Sequence, residues 1–292
     1  MTVLQGILLG ILQGVAEFLP ISSSGHLAVA QKLFSLEELP LLYDVMLHLA
    51  TLLAVILFFR KKIWELLKVL GRWIARKNPS TKEAENSSDV CKEEDFLCGT
   101  EERGRHTIVA IIVTTFVTGI IGVFTSKFIS ELSIKVTCVG FILTAGLLIF
   151  SSLWEKRSKK QNISNQKNEK GISWKQALVI GFMQGVGTLP GISRSGSTIA
   201  GSQFCGVNRA AAGEYSFIVS IPAILGAFVL ELKDLGQMTS IVGLAQLVAG
   251  CLSAFVSGYI SLILLMKIIK KGKLEWFACY LIPLGILGLI FF

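Results

Sequence analysis

Residues 10–25 read GILQGVAEFLPISSSG, and residues 181–196 read GFMQGVGTLPGISRSG. At a constant offset of 171, half of these sixteen positions are identical: Gly10/Gly181, Gln13/Gln184, Gly14/Gly185, Val15/Val186, Ile21/Ile192, Ser22/Ser193, Ser24/Ser195 and Gly25/Gly196. Chance likeness between apolar segments does not readily supply a shared Gln-Gly and a shared Ser-x-Ser-Gly, so the chain carries an internal repeat. Each copy begins as a short apolar helix, meets Pro20 or Pro190, and then turns polar. Proline ends or kinks a helix, and the Ser and Gly that follow favour irregular backbone. The apolar runs before the breaks, residues 1–17 and 177–189, are short against the ~20 residues that a helix needs to cross a bilayer. Both copies are therefore expected as re-entrant helix–loop–helix hairpins. Broken backbone is tolerated at membrane depth only where it is buried in protein or lines a wet cavity.

The rest of the chain fits a membrane setting. Of the 292 residues, 52% are hydrophobic and 16% charged, too few charges for an ordinary soluble domain. Residues 107–124, 136–153 and 243–266 are apolar runs of spanning length. The net charge of +8 could suit nucleic acid, but 22 of the 28 Lys and Arg fall in residues 60–105, 156–175 and 267–273. Basic loops beside apolar spans mark the cytoplasmic side, so no nucleic-acid partner is expected. Residues 1–17 show no basic n-region or convincing cleavage site of a signal peptide.

These loops fix an expected topology of six spans: 42–59, 107–124, 136–153, 214–230, 244–266 and 276–292. Both termini lie outside. An odd number of spans separates the hairpins, so the two copies run in opposite directions through the membrane, as in inverted-repeat transporters. The expected fold is an all-α polytopic membrane protein, a single membrane domain over 1–292. Its first inverted repeat covers 1–153, with a polar cytosolic insertion at about 76–106, and its second covers 174–292. The insertion is mixed in charge and poor in apolar residues, which suits loose structure. No disulfide framework is expected from the six cysteines, and Cys91, Cys98 and His106 lack a recognised zinc spacing.

Polar groups inside a bilayer are expensive and tend to be functional. The first hairpin offers Gln13, Glu17, Ser22, Ser23, Ser24 and His26; the second offers Ser193, Arg194, Ser195, Ser197 and Thr198. Should the breaks meet, a carboxylate, an imidazole, a guanidinium and several hydroxyls share one cavity. That set suits a phosphate ester or anhydride. Arg194 can grip two phosphate oxygens. The helix starts at Gly25 and Gly196 present backbone N–H groups to an anion. His26 can exchange a proton near neutral pH. Glu17 can act as base, orient a partner, or hold a divalent cation. The nucleophile is open between Ser23, His26 and a metal-activated water. Structural roles compete with these: Gln13 and Glu17 share a helix face and could bond a neighbouring helix, His26 could cap, and Arg194 could tie the hairpins together. Asp44 and His48, also four apart, read as an interfacial polar pair, with a supporting role behind the site residues as the alternative, and Glu214 as a helix-dipole partner.

Gln13-x-x-x-Glu17 followed by Phe-Leu-Pro-Ile-Ser-Ser-Ser-Gly-His26 resembles the first signature of the undecaprenyl-diphosphate phosphatase (bacitracin-resistance) family. Pro190-Gly-Ile-Ser-Arg194-Ser-Gly-Ser-Thr198 resembles its second, PGxSRSxxT. The likeness continues at Tyr43-Asp44 and at Gly213-Glu214-Tyr215-Ser216-Phe217. The resemblance implies hydrolysis of a C55 polyprenyl diphosphate to the monophosphate plus phosphate, recycling the lipid carrier of cell-wall synthesis. It also implies a divalent cation, Mg or Ca, and an outward-facing site in the inner or plasma membrane. Carried over, Glu17, Ser23, His26 and Arg194 fall on catalytic positions, with Glu17 as the metal ligand. Gln13, Ser22, Ser24, Gly25, Ser193, Ser195 and Thr198 line the substrate. Gln13 takes the place often filled by Glu, which weakens a two-carboxylate metal site. The partners implied are the polyprenyl diphosphate and membrane lipid, with a homodimer left open. The competing function is a lipid-phosphate transporter or flippase, which would use the same arginine and anion site but has no need of a nucleophile and base. A phosphatidic-acid-phosphatase type would require an Arg-Pro element, and the chain has none.

Overall fold

A computed structural model describes residues 1–36, 39–76, 95–129, 133–160, 171–234, 236 and 241–292. Among these residues there are ten α-helices and no strands. In order they are α1 (Val3–Phe18), α2 (Ser23–Leu33), α3 (Leu41–Ile74), α4 (Glu101–Ile129), α5 (Ile134–Lys160), α6 (Trp174–Val186), α7 (Arg194–Phe204), α8 (Arg209–Glu231), α9 (Leu244–Lys271) and α10 (Trp276–Phe291).

The distribution of polarity is that of a polytopic membrane protein. Phe116, Phe124, Leu252 and Ile260 are exposed, while Gln13, Gln184, Ser197, Thr198 and Ser216 are fully buried. In water that arrangement would cost heavily; in lipid it satisfies polar groups internally and offers tails to tails. Among the described residues, five helices are long and apolar enough to cross a membrane: α3, α4, α5, α8 and α9. The sixth expected span, α10, has 16 residues and carries Pro283, and at 1.5 Å per residue it reaches only about 24 Å.

The packing follows the sequence repeat. Helices α1–α5 correspond in order to α6–α10, and the halves interlock: α1 lies along α9, while its counterpart α6 lies along α4. The shared glycines explain the closeness. A Cβ at Gly10 would overlap the Gly250 carbonyl and Ser253 Oγ, and one at Gly14 would stand 2.6 Å from the Ala254 oxygen. In the second half a Cβ at Gly181 would come within 2.9 Å of Val117, and one at Gly185 within 2.6 Å of Ile121. Small residues let backbones approach where lipid gives no hydrophobic drive between helices. At that distance hydroxyls of the long helix reach carbonyls of the short one: Ser253 donates to Ile7 (3.2 Å), Thr114 to Ala177 (3.1 Å) and Thr118 to Gly181 (3.2 Å). Such bonds average about 0.6 kcal/mol in membranes. Gly10→Val and Gly185→Leu are expected to lower the melting temperature in detergent by several degrees, as overpacking costs about 1–3 kcal/mol or more. Gly119→Leu, at a position open to 4 Å, is the control that leaves it unchanged.

Ion pairs gather at one end of the bundle. Lys62 pairs with Asp95 (2.7 Å) and with Glu214, Arg72 with Glu101 (2.7 Å), Arg209 with Glu155, and Lys156 with Glu275 (3.1 Å). The turn at Gly272 lies against Arg209, so all three basic regions meet there. Three local expectations change. The basic region after residue 60 is helical up to Ile74, and α4 starts at Glu101, inside the expected insertion. Glu101 and Glu102 favour that start through the helix dipole, and Arg72 fixes it. Cys98 is disulfide-bonded, which sequence spacing could not show, since pairing depends on spatial separation. The core of the insertion, 77–94 with Cys91, and residues 161–170 lie outside the described residues.

Candidate active site

Two breaks in the helices build the site. α1 stops at Phe18, Leu19 is extended, and the chain turns through Pro20. Ser22 sits at φ +71° and caps α2, its Oγ accepting the Gly25 N–H at 3.3 Å. The second break turns at Gly191, φ +82°, where a side chain would overlap the Thr137 carbonyl. Ser193 then caps α7, its Oγ accepting the Gly196 N–H at 3.1 Å. Ser22 and Ser193 are equivalent in the repeat, so the next residues, Ser23 and Arg194, each open the second helix of a hairpin. The breaks pack on one another: a Cβ at Gly25 would stand 3.0 Å from the Gly191 Cα, and one at Gly196 3.3 Å from the Pro20 Cβ.

Glu17 is the centre of what converges. It is 6% exposed. Its Oε1 pairs with Arg194 Nη2. Its Oε2 accepts from Ser23 Oγ at 2.6 Å and from Gln13 Nε2 at 3.1 Å, and His48 Nε2 stands 3.3 Å away. Arg194 Nη1 and Gln13 Oε1 are buried without hydrogen-bond partners. The repeat counterpart of Glu17 is Thr188, whose hydroxyl turns back to the Gly185 carbonyl, and the counterpart of Gln13, Gln184, bonds Thr118. Two similar hairpins thus make one carboxylate centre.

His26 stands apart from this cluster. Its Nδ1 lies 2.7 Å from the Ser22 carbonyl, which can only accept, so Nδ1 carries the hydrogen. The neutral ring then accepts the Tyr280 hydroxyl at Nε2, 2.8 Å away. Phe141 and Tyr280 flank the ring, at 5.0 and 5.7 Å between centroids. Of the other expected substrate residues, Ser24 is exposed at the start of α2. Ser195 reaches Ser193 Oγ (3.2 Å) and the Phe18 carbonyl (3.4 Å). Thr198 bonds Ser216 and the Arg194 and Ser195 carbonyls, so its hydroxyl holds α7 to α8 and does not face Glu17.

His48 and Tyr280 are the residues that sequence reading placed elsewhere or passed over. The sequence pairs His48 with Asp44 at the interface, a supporting place at the site being the alternative; the structure sets it against Glu17. A titratable ring in an apolar helix was the available signal. Tyr280, one tyrosine in an apolar helix, gave none.

The residues at Glu17 do not suit a protein-held divalent cation. Arg194, Ser23 and Gln13 already bring hydrogen to its two oxygens, and His48 flanks Oε2. Among the described residues no other carboxylate joins them, and no three His, Cys, Asp or Glu gather as ligands. A dication on this carboxylate would sit beside a guanidinium, against Coulomb repulsion. The expectation of Glu17 as a metal ligand is therefore not carried further.

What remains is a hydroxyl held on a carboxylate, a guanidinium with an unused N–H, and two helix starts whose first N–H groups lack intrahelical partners. The fold is that of a polytopic membrane protein, and its buried site gathers a carboxylate, a hydroxyl and a guanidinium, groups suited to hydrolytic chemistry. The chain belongs to the family described as bacitracin resistance protein BacA, whose model matches residues 6–287. It is similar to proteins named undecaprenyl-diphosphatase. The one from Treponema denticola is 46% identical, over 98% of this chain and 96% of the relative. Those from Borrelia recurrentis (37%; 99% and 98%) and Methanosphaera stadtmanae (38%; 99% and 97%) align over equally full lengths.

Proposed function

We propose that the protein hydrolyses undecaprenyl diphosphate to the monophosphate plus phosphate, and so recycles the lipid carrier of cell-wall synthesis. The observation that carries this reading is the Ser23 hydroxyl on Glu17 at 2.6 Å, with Arg194 on the same carboxylate. A flippase would need the arginine and the anion cradle, but not a hydroxyl placed on a base. The terminal phosphate sits between Arg194 Nη1 and the first N–H groups of α2 and α7. As Ser23 Oγ bonds to phosphorus, its proton passes to Glu17, and charge on the phosphate oxygens is met by Arg194. The lipid monophosphate leaves with the electron pair of the broken P–O bond, and water then hydrolyses the phosphoserine. His26 is the less favoured nucleophile because its free lone pair is taken by Tyr280. The test is phosphate release from a C55 or C15 prenyl diphosphate by detergent-purified protein, with and without chelator. Release of phosphate supports hydrolysis, and none from folded protein sinks it. The chelator arm reads the dependence on Mg or Ca.

In the cell or plasma membrane, the ion-paired end of the bundle is the cytoplasmic end, and both termini and the active site face outward. The hairpins are re-entrant and meet within the bilayer. Support comes from the basic regions gathering at one end. His48 lies seven residues into α3, roughly 10 Å from the opposite end. One observation runs the other way: Cys98 is disulfide-bonded, and disulfides persist in oxidising compartments. Single cysteines placed at residues 2 and 292 are expected to react with an impermeant reagent in intact cells. Labelling of neither, where an outer-loop control reacts, reverses the topology.

A further inference from the structure

His48 has a geometry that its place near Glu17 does not by itself explain. Its Nδ1 lies 2.7 Å from the Asp44 carbonyl, an acceptor only, so Nδ1 carries a hydrogen. In the neutral ring Nε2 is then a bare lone pair, and it faces Glu17 Oε2, a second acceptor, at 3.3 Å. Two facing acceptors repel, and one proton between them turns the repulsion into a hydrogen bond. The same Oε2 receives the Ser23 hydroxyl at 2.6 Å.

We infer that Glu17 and His48 form a two-acceptor proton trap, in which the proton of the attacking hydroxyl comes to rest on His48. This rests on the phosphatase reading with Ser23 as the attacking group. The Ser23 O–H bond breaks as Oγ–P forms; the proton moves to Glu17 Oε2 and on to His48 Nε2, leaving Glu17 an anion beside Arg194. His48, 22% exposed, releases that proton to solvent. Glu17 is then free to take the proton of the attacking water and pass it to the departing Ser23 Oγ. His48 acts through Glu17 and is in this sense a positioning residue.

The groups around the pair are few. Gln13 and Arg194 bear on Glu17. On α2, Gln31 holds the Asp44 carboxylate at 2.6 Å. Tyr43 neighbours Asp44 on α3, and on α9 the Cys251 sulphur meets the Met46 carbonyl at 3.6 Å.

The test compares kcat and KM against pH for the unmodified chain and for His48→Gln, with a C15 prenyl diphosphate. Gln can still donate to Glu17 but cannot take a proton. Expected are a kcat lowered tenfold to a hundredfold, up to the lower end of acid–base effects, a KM within about twofold, and loss of the acid-side limb of the kcat profile. A kcat and acid limb like those of the unmodified chain overturn the inference. Should His48→Gln not fold, nitrogen NMR of the unmodified protein decides. The chain has three histidines. The His48 Nε2 signal is expected to show a proton shared with Glu17 and to move in Glu17→Gln; an Nε2 that ignores Glu17→Gln overturns the trap. An unmodified chain that releases no phosphate fails the phosphatase reading, while the NMR arm still decides the proton pair.

Discussion

Arg194→Ala is expected to lower kcat/KM for the prenyl diphosphate by about a thousandfold, and Arg194→Lys to recover less than a tenth of the lost activity. Removing a group that meets charge on a transferring phosphoryl typically costs 10²–10³ or more. The geometry shows why lysine is a poor substitute. Nη2 is committed to Glu17, and Nη1 is buried and unpartnered, so one planar side chain holds the base and still offers a donor to the phosphate. An ammonium is a point charge and cannot keep both directions at once. Steady-state kinetics on purified variants, with melting curves to confirm folding, make the measurement. Near wild-type turnover in Arg194→Lys would show that the residue supplies only a general positive field.

Ser23→Ala is expected to remove at least three orders of magnitude of turnover, since it deletes the group that forms the new bond. A rapid acid quench of the unmodified enzyme should trap acid-stable phosphoserine at Ser23. The two rival mechanisms leave acid-labile phosphohistidine or no covalent intermediate. Ser23 leads because its hydroxyl is 2.6 Å from Glu17 and it opens α2, a helix start whose dipole favours an anion. An alcohol is a weak nucleophile until a base takes its proton, and Glu17 is the base in reach. Phosphate trapped on His26, or substantial turnover in Ser23→Ala, defeats this mechanism.

These two residues show how far sequence alone can go. Proline, the Ser-x-Ser-Gly runs and the apolar runs act over a few residues, so both breaks and the membrane setting were legible, while the helix starts expected at Gly25 and Gly196 fall two residues earlier, at Ser23 and Arg194, because Ser22 and Ser193 are the caps. The i, i+4 spacing of Gln13 and Glu17 on one turn was likewise local, and the structure places them 3.1 Å apart. The extent of α3 beyond residue 60 was not legible. Lys and Arg there read as a loop, yet the helix continues to Ile74, with Glu65 buried and Lys62 paired to Asp95 and Glu214.

The sequence by itself determined a broken-helix membrane protein with polar residues at two repeated breaks, because propensity, capping and hydrophobic runs are properties of neighbouring residues. The tertiary structure alone decided which polar residues meet. Gly10, Gly14, Gly181 and Gly185 set how near α1 and α6 come to α9 and α4. That interlock brings Arg194 and His48 to Glu17, hands His26 to Tyr280, and turns Thr198 away toward Ser216. No spacing along the chain encodes these choices, since each depends on where a side chain from another helix comes to rest after packing.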